Sequence, residues 1–240
     1  MAPIIHLLSR LWYVITKMTI KALIPVRKGS QRVINKNIKK FANSSLLEIK
    51  VKQLLRIPGI DEVCVNSDCD AMLDIANKLG ATPIKRVDHF ANNTISMNDV
   101  WKNLAENISC DDIMYTNVTN PLVTDDVYSS ILETWKENSK NKLWRHDSIT
   151  TVHKVEEYLW DDKGPVNYSA DSHPRSQDIR KYFGLNFAVS IIPRSLMIQR
   201  KSILGESFMP YFINGIQSMD IDDIDDFKIA EALYREFHNV

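Results

Sequence analysis

Glycine is scarce: the 240-residue chain has seven, and the closest pair is Gly205 and Gly215. That spacing excludes the GxGxxG dinucleotide turn, the GxxxxGK(S/T) phosphate loop and the GxSxG nucleophile elbow. HExxH is missing too. Cysteine is equally sparse, with Cys64, Cys69 and Cys110 in no CxxC spacing and one necessarily unpaired. A disulfide framework and a structural zinc site are excluded, and a reducing compartment fits. Charge of one sign is not in excess, since 30 Lys+Arg face 30 Asp+Glu. A general nucleic-acid binder or an anionic-membrane binder would carry a basic surplus, so phosphate binding here needs a local cluster. No apolar run reaches the roughly 18 residues of a membrane span. The first seventeen residues are apolar only in patches, broken by His6 and Arg10, and no positive charge precedes them as in a secretory signal. Residues 1–18 read as a short extension ahead of the fold, a weak targeting or interaction segment being the alternative.

The whole 240-residue chain is 44% hydrophobic and 25% charged, as in globular proteins. At roughly 150 residues per domain it amounts to about 1.6 domains. Ile20 to Val26 is a short apolar run ending in a polar loop, as in a buried parallel strand. Ser44 or Ser45 can cap a helix with Leu47, Val51, Leu54 and Leu55 on one face. Glu62 to Asn66 is a second strand, and a helix with Met72, Ile75, Ala76 and Leu79 follows, stopped by Gly80. Ala81 to Lys85, a helix over Thr94 to Ile108, Asp112 to Asn117, and a helix capped by Thr124 continue the alternation. Four strand–helix repeats predict an α/β doubly wound, mostly parallel sheet. The rhythm then breaks. Ser148 to His153, the turn at Asp161–Gly164 and the polar stretch to Lys181 read as a small inserted β-rich arm, at about 145–182. Leu185 to Ile192 returns as a buried strand, and a last helix sets Ile229, Ala232, Leu233 and Phe237 on one side. Residues 19–240 are therefore one domain with an excursion.

In a doubly wound sheet, ligands bind beyond the carboxyl ends of the strands. The first strand opens there into Arg27-Lys28-Gly29-Ser30-Gln31-Arg32, then Asn35-Lys36-Asn37. Such a cluster in a neutral chain suits a polyphosphate, against the plainer reading of a solvated basic loop. Near the end, Asp220 and Asp222 alternate on an extended segment, so both carboxylates face one side. Paired oxygen ligands suit Mg2+, which takes one or two carboxylates plus substrate phosphates. Asp225 and Asp226 more simply favour the start of the last helix. The loop Asn117-Val118-Thr119-Asn120-Pro121 follows the fourth strand, where it has some chance of lining a site, and the six histidines show no ligand spacing.

Taken in order, these segments resemble the acylneuraminate cytidylyltransferases, also called CMP-sialic acid synthetases, from about residue 19 to 238. The pieces are Ile24 to Arg32 with Lys36-Asn37, Val65-Asn66-Ser67-Asp68, Arg86 with Asn93-Thr94, Thr119 to Leu122, Pro174-Arg175-Ser176-Gln177 and Ser218 to Asp222. The resemblance implies a nucleotide-diphospho-sugar transferase-like fold and an enzyme joining CTP to a nonulosonic acid with release of pyrophosphate, using Mg2+. It implies that Arg27, Lys36 and Asp222 are catalytic, and that Arg27, Lys28, Gly29, Ser30, Asn37, Arg86, Asn93 and Thr94 bind the nucleotide. Asn117, Thr119, Arg175, Gln177 and Asn186 would face the sugar, and Asp220 and Asp222 the metal. The family's arm crosses to a partner, which implies a homodimer with Arg175 serving the neighbouring site. A cytoplasmic enzyme is implied, or a nuclear one from an animal-like source. Two departures stand out. The family's Arg-Gly-Gly-Ser-Lys is here Arg27-Lys28-Gly29-Ser30-Gln31, and its Gln-Pro-Thr-Ser-Pro is Asn117-Val118-Thr119-Asn120-Pro121. The first shifts a phosphate partner to Lys28. The second leaves a one-methylene gap beside the sugar and keeps the choice of sugar open. A Kdo-activating or other sugar nucleotidyltransferase, and a nucleotide-binding module without catalysis, are the competing readings.

Overall fold

The computed structural model describes residues 18–141 and 143–240, so the extension expected before the fold lies, but for Met18, outside the described residues. The chain runs from β1 (Ile20–Pro25) through a two-residue hairpin, β2 (Lys40–Phe41) and β3 (Ser44–Ser45), into α1 (Leu46–Leu55). Then come β4 (Glu62–Ser67), α2 (Asp70–Lys78), β5 (Thr82–Lys85), α3 (Met97–Glu106), β6 (Asp112–Thr116) and α4 (Asp125–Asn138). The second half holds β7 (Ser148–Val155), β8 (Trp160–Asp161), β9 (Gly164–Pro165) and β10 (Tyr182–Pro193). It ends with α5 (Arg194–Arg200), β11 (Phe208–Phe212) and α6 (Ile224–His238).

Ile20, Ala22, Leu23 and Ile24 of β1 are all fully buried, because the strand pairs in parallel with β4 on one side and β6 on the other. The seven-stranded sheet has the order β11-β7-β10-β6-β1-β4-β5. Only β10 runs antiparallel to both of its neighbours. From β1 the chain winds outward through β4 to β5, then returns to the opposite side of β1 as β6. The crevice between the carboxyl ends of β1 and β6 is therefore the topological switch point of the sheet. Helices cover both faces. Leu104 of α3 and Met197 of α5 pack with Leu23, Ile113 and Ile192, whereas Leu47 of α1, Tyr128 of α4 and Phe227 of α6 pack on the other side.

Local signals hold at most boundaries. Ser45 caps α1, its hydroxyl accepting from the Glu48 amide at 3.3 Å. Gly80 ends the α2 segment at φ +90°, the left-handed region that favours glycine. The third helix starts later than the spacing predicts, at Met97, with Ser96 as its cap.

Three expectations are corrected. Ser148–Val155 belongs to the main sheet, hydrogen-bonded to both β10 and β11, because its first five residues are buried. The excursion outside the sheet is therefore residues 156–181, with the β8–β9 hairpin inside it. On α1, Leu55 is exposed while Lys50 and Gln53 are buried, because polar partners from the α4 side receive them. On α6 the buried face is Phe227 and Ala230, with Ile229 and Phe237 about half exposed. Phe41 decides that face: its ring meets Phe227 edge-on at 5.3 Å and Tyr234 at 5.5 Å.

Candidate active site

Beyond the carboxyl ends of β1 and β6 lies a cavity of about 460 Å³. The loop after β1 forms one wall, and two left-handed residues shape it. Gly29 has φ +81°, and Asn35 has φ +55°, a region that asparagine tolerates better than most residues. Two side chains pin the loop: Asn37 Nδ2 donates to the Arg27 carbonyl at 3.1 Å, and Asp68 Oδ1 accepts from the Lys28 amide at 3.0 Å. Arg27 reaches across the mouth, its Nη1 donating to Ala91 O at 2.9 Å. Lys36 turns inward and donates to Ile221 O at 2.5 Å.

Arg86, at the end of β5, is 5% exposed. Its Nε donates to Asn66 Oδ1 at 2.6 Å and its Nη2 to Asn66 O at 2.9 Å, which fixes the guanidinium in the cavity wall. Burial lowers its pKa from the ordinary value, with the Asp68 charge opposing. Asn93 lines the same side, joined by Phe90 and Asn92. Opposite, Asn117 and Thr119 enter from the loop after β6. The Asn117 amide is held loosely, 3.4 Å from Phe187 O.

The acidic segment closes the ring. Ile221 is fully buried and its amide donates to Thr119 O at 2.9 Å, which fixes its neighbours Asp220 and Asp222 beside the cavity. Asp222 lines the cavity, and Arg32 Nη2 contacts its Oδ1 at 2.6 Å. Asp220 is solvent-accessible but recessed among protein atoms. This enclosure raises its carboxyl above the usual range, against the hydrogen bond from Thr119, and the Asp222 charge adds to the rise. Burial lowers the Lys36 ammonium, with Asp220 and Asp222 opposing. Arg27, Arg32, Lys36 and Arg86 thus line one cavity with Asp222, an excess of positive charge that attracts a polyanion.

The cavity wall brings together Arg27, Gly29, Ser30, Lys36, Asn37, Arg86, Asn93, Asn117, Thr119 and Asp222 from the sequence-derived set. The other candidates lie elsewhere. Lys28 and Thr94 are exposed beside the cavity. Arg175 and Gln177 sit on the excursion, where Arg175 Nε meets Asp178 Oδ2 at 2.9 Å. Asn186 is 8% exposed; its Oδ1 accepts from Thr151 Oγ1 at 2.6 Å and its Nδ2 has no partner. Sequence reasoning missed Arg32 as the partner of Asp222, and Phe90 and Asn92 as wall residues. Arg32 at least stood in the loop already singled out, whereas Phe90 and Asn92 sit in a short turn without periodicity.

Residues 21–179 match the family model for cytidylyltransferases. The chain is 25% identical over 224 residues to a pseudaminic acid cytidylyltransferase of Campylobacter jejuni, covering 90% of this chain and 96% of that one. It is 24% identical over 233 residues to the CMP-N,N'-diacetyllegionaminic acid synthase of Legionella pneumophila, again covering 90% and 96%. Among solved structures, a CMP:2-keto-3-deoxy-manno-octonic acid synthetase complexed with CTP superposes with a TM-score of 0.67 at 15% identity, over 91% of this chain and 99% of that one. The 4-diphosphocytidyl-2C-methyl-D-erythritol synthase of Anaerococcus prevotii gives 0.64 at 14% identity, over 91% and 99%. At these identities the solved structures establish the fold alone.

Proposed function

The chain belongs to the cytidylyltransferase family, and on that premise we propose that it activates a nonulosonic, sialic-type acid with CTP, giving a CMP-sugar and pyrophosphate. The observation that carries this is the cavity at the switch point of the sheet, lined by Arg27, Arg32, Lys36 and Arg86 together with Asp222. The names of the relatives, pseudaminic acid cytidylyltransferase and CMP-N,N'-diacetyllegionaminic acid synthase, point to the same sugar class.

The sugar's anomeric oxygen attacks the α-phosphorus in line. The new P–O bond forms as the α–β anhydride bond breaks, pyrophosphate leaves, and the hydroxyl proton passes to solvent. Such a step asks the protein for positioning and charge neutralisation rather than for a covalent intermediate. Arg27 and Lys36 hold the triphosphate, with Lys28 and the Gly29–Ser30 backbone at its edge. Arg86, Asn93 and Thr94 attend the cytosine and ribose, and Asn37 keeps the loop in shape. Asn117 and Thr119 face the sugar, and Asn186, buried outside the cavity wall with an unpartnered Nδ2, backs that half of the site.

Asp220 and Asp222 fit Mg2+. They offer hard oxygen atoms from one segment, Asp222 on the cavity wall and Asp220 recessed beside it. Two carboxylates are what this ion takes when substrate phosphates complete its shell. Bound there, it would neutralise phosphate charge and lower the pKa of the attacking hydroxyl.

Residues 19–240 act as one catalytic domain, and the excursion at 156–181 reaches a second copy to form a homodimer. Support comes from exposed aromatic surface on and beside it: Tyr158, Trp160, Phe183 and Phe212, the last two with ring centroids 6.0 Å apart. Arg175 and Gln177 then serve the partner's sugar. A cytoplasmic setting agrees with the three free cysteines. Among the described residues no helix is long and apolar enough to cross a membrane.

The test is incubation with CTP, Mg2+ and, separately, pseudaminic acid, legionaminic acid, Neu5Ac, Kdn and Kdo, with products identified by mass spectrometry. A CMP-sugar from one of the first four supports the reading. Product from Kdo alone assigns the other branch, and CTP binding without product from any sugar assigns a non-catalytic module.

A further inference from the structure

A lysine in the middle of a helix normally faces water, because an ammonium is costly to strip of its hydration. Lys50 of α1 does the opposite and is fully buried. Its three acceptors are all neutral: Gln53 Oε1 at 3.1 Å, Asn120 O at 3.1 Å and the Tyr128 hydroxyl at 2.6 Å. Replacement of such a group by an apolar side chain of similar volume is often neutral or favourable for stability, so fold stability alone does not explain it.

The contacts lead to the site. The Tyr128 hydroxyl is hydrogen-bonded to Thr116 Oγ1 at 2.9 Å, and Thr116 donates to Ala188 O at 2.8 Å, joining β6 to β10. Asn120, whose carbonyl Lys50 holds, donates from Nδ2 to Met219 O at 3.1 Å. Two residues on, the Ile221 amide donates to Thr119 O, and the Ile221 carbonyl receives Lys36. The loop 117–120 is therefore held from behind by the buried Lys50 Nζ and from the front by the segment carrying Asp220 and Asp222. Arg27 and Arg86 are fixed by Ala91 and Asn66 instead, outside this chain of bonds.

We infer that Lys50 is a positioning residue for the sugar half of the site: it holds the loop bearing Asn117 and Thr119 against the Asp220–Asp222 segment, reaches the nucleotide half only through Lys36 on the Ile221 carbonyl, and leaves the Arg27 and Arg86 anchors untouched. The kinetic part rests on the proposed cytidylyltransferase reaction. The structural part stands without it.

The experiment is Lys50→Met, with Tyr128→Phe as a second variant that keeps the ammonium and its bond to Asn120. Steady-state kinetics are measured for both substrates, and amide hydrogen exchange is measured without substrate. In Lys50→Met the KM for the sugar rises about tenfold and kcat falls, while the KM for CTP stays within about twofold. The Ile221 amide exchanges faster, whereas the Val26 amide, bonded to Asn66 O in the nucleotide half, keeps its protection. Tyr128→Phe leaves Ile221 protection unchanged. Equal rises in both KM values, or unchanged protection of Ile221 in Lys50→Met, overturn the inference. Should Lys50→Met fail to fold, Lys50→Gln takes its place: faster Ile221 exchange in it upholds the inference and unchanged protection overturns it. If the wild-type protein makes no CMP-sugar, the functional proposal fails, and Ile221 exchange alone decides the role of Lys50.

Discussion

Arg32 Nη2 sits 2.6 Å from Asp222 Oδ1, so the basic loop after β1 is closed onto the acidic segment before α6 across 190 residues of sequence. The two side chains are 67% and 55% exposed, a setting in which an ion pair contributes little to stability. On the proposed reading its importance lies in competition, since the guanidinium occupies an oxygen that a divalent cation would use.

Arg32→Ala should therefore lower unfolding free energy by no more than about 1 kcal/mol in urea titrations. Binding of Mn2+, a paramagnetic stand-in for Mg2+, should be as tight as in wild type or tighter when followed by electron paramagnetic resonance. Loss of Mn2+ binding in this variant would contradict the assignment of Asp222 to the metal.

Lys36 is half-buried, bonded to Ile221 O and flanked by both aspartates. On the proposed reading Lys36 reaches the triphosphate, so Lys36→Met removes that donor and leaves Arg32 as the cation bonded to the acidic pair. A fall of about a hundredfold in kcat/KM for CTP is expected, in line with loss of one preorganised charge-stabilising donor. Activity within a few-fold of wild type would remove Lys36 from the catalytic set.

Asn117 holds Phe187 O only loosely, at 3.4 Å. Asn117→Gln adds one methylene toward the sugar, a change of the size that shifts discrimination by about tenfold or more. The ratio of kcat/KM values among nonulosonic acids should move by that amount while the KM for CTP stays constant. A uniform loss for every sugar would show that Asn117 does not choose among them.

Burial lowers the pKa of Lys50 to about 7; the Asp125 charge opposes this and Arg56 reinforces it. The adjoining Tyr128 hydroxyl is pushed up by burial and stays protonated. In the unfolded chain Lys50 regains its ordinary, much higher pKa. Between these two values the unfolded state binds more protons, so stability from this group rises with pH. The slope reaches up to about 1.4 kcal/mol per pH unit between roughly pH 7 and 10. Below pH 7 both states are protonated and the cost of burying the ammonium is fully present. Urea titrations from pH 6 to 10 should show wild type gaining on Lys50→Met across that window, and parallel curves would refute the lowered pKa.

Much of this architecture is legible in the chain because the governing interactions are local. The apolar run of β1, the Ser45 cap and the Gly80 stop each follow from a few neighbouring residues. The cavity wall was legible for a different reason: Arg27, Lys36, Arg86, Asn117, Thr119 and Asp222 stand in ordered motifs after strand ends. What stayed hidden depends on distant partners. Lys50 carries no signal of burial in the sequence because its acceptors Asn120 and Tyr128 lie 70 and 78 residues away. The last helix offers two apolar arcs, and only the Phe41 ring, from the β2–β3 hairpin, selects Phe227 over Ile229. Ser148–Val155 looked like part of an arm because burial between β10 and β11 cannot be seen in its own eight residues.

The most direct measurement is pyrophosphate release from CTP and Mg2+ with a nonulosonic acid, in wild type and Asp222→Asn side by side. Sugar-dependent release by wild type, reduced by at least about a hundredfold in a variant that still folds and binds CTP, is the predicted result. No sugar-dependent release by wild type from any nonulosonic acid, or near-normal release by Asp222→Asn at saturating Mg2+, would contradict it.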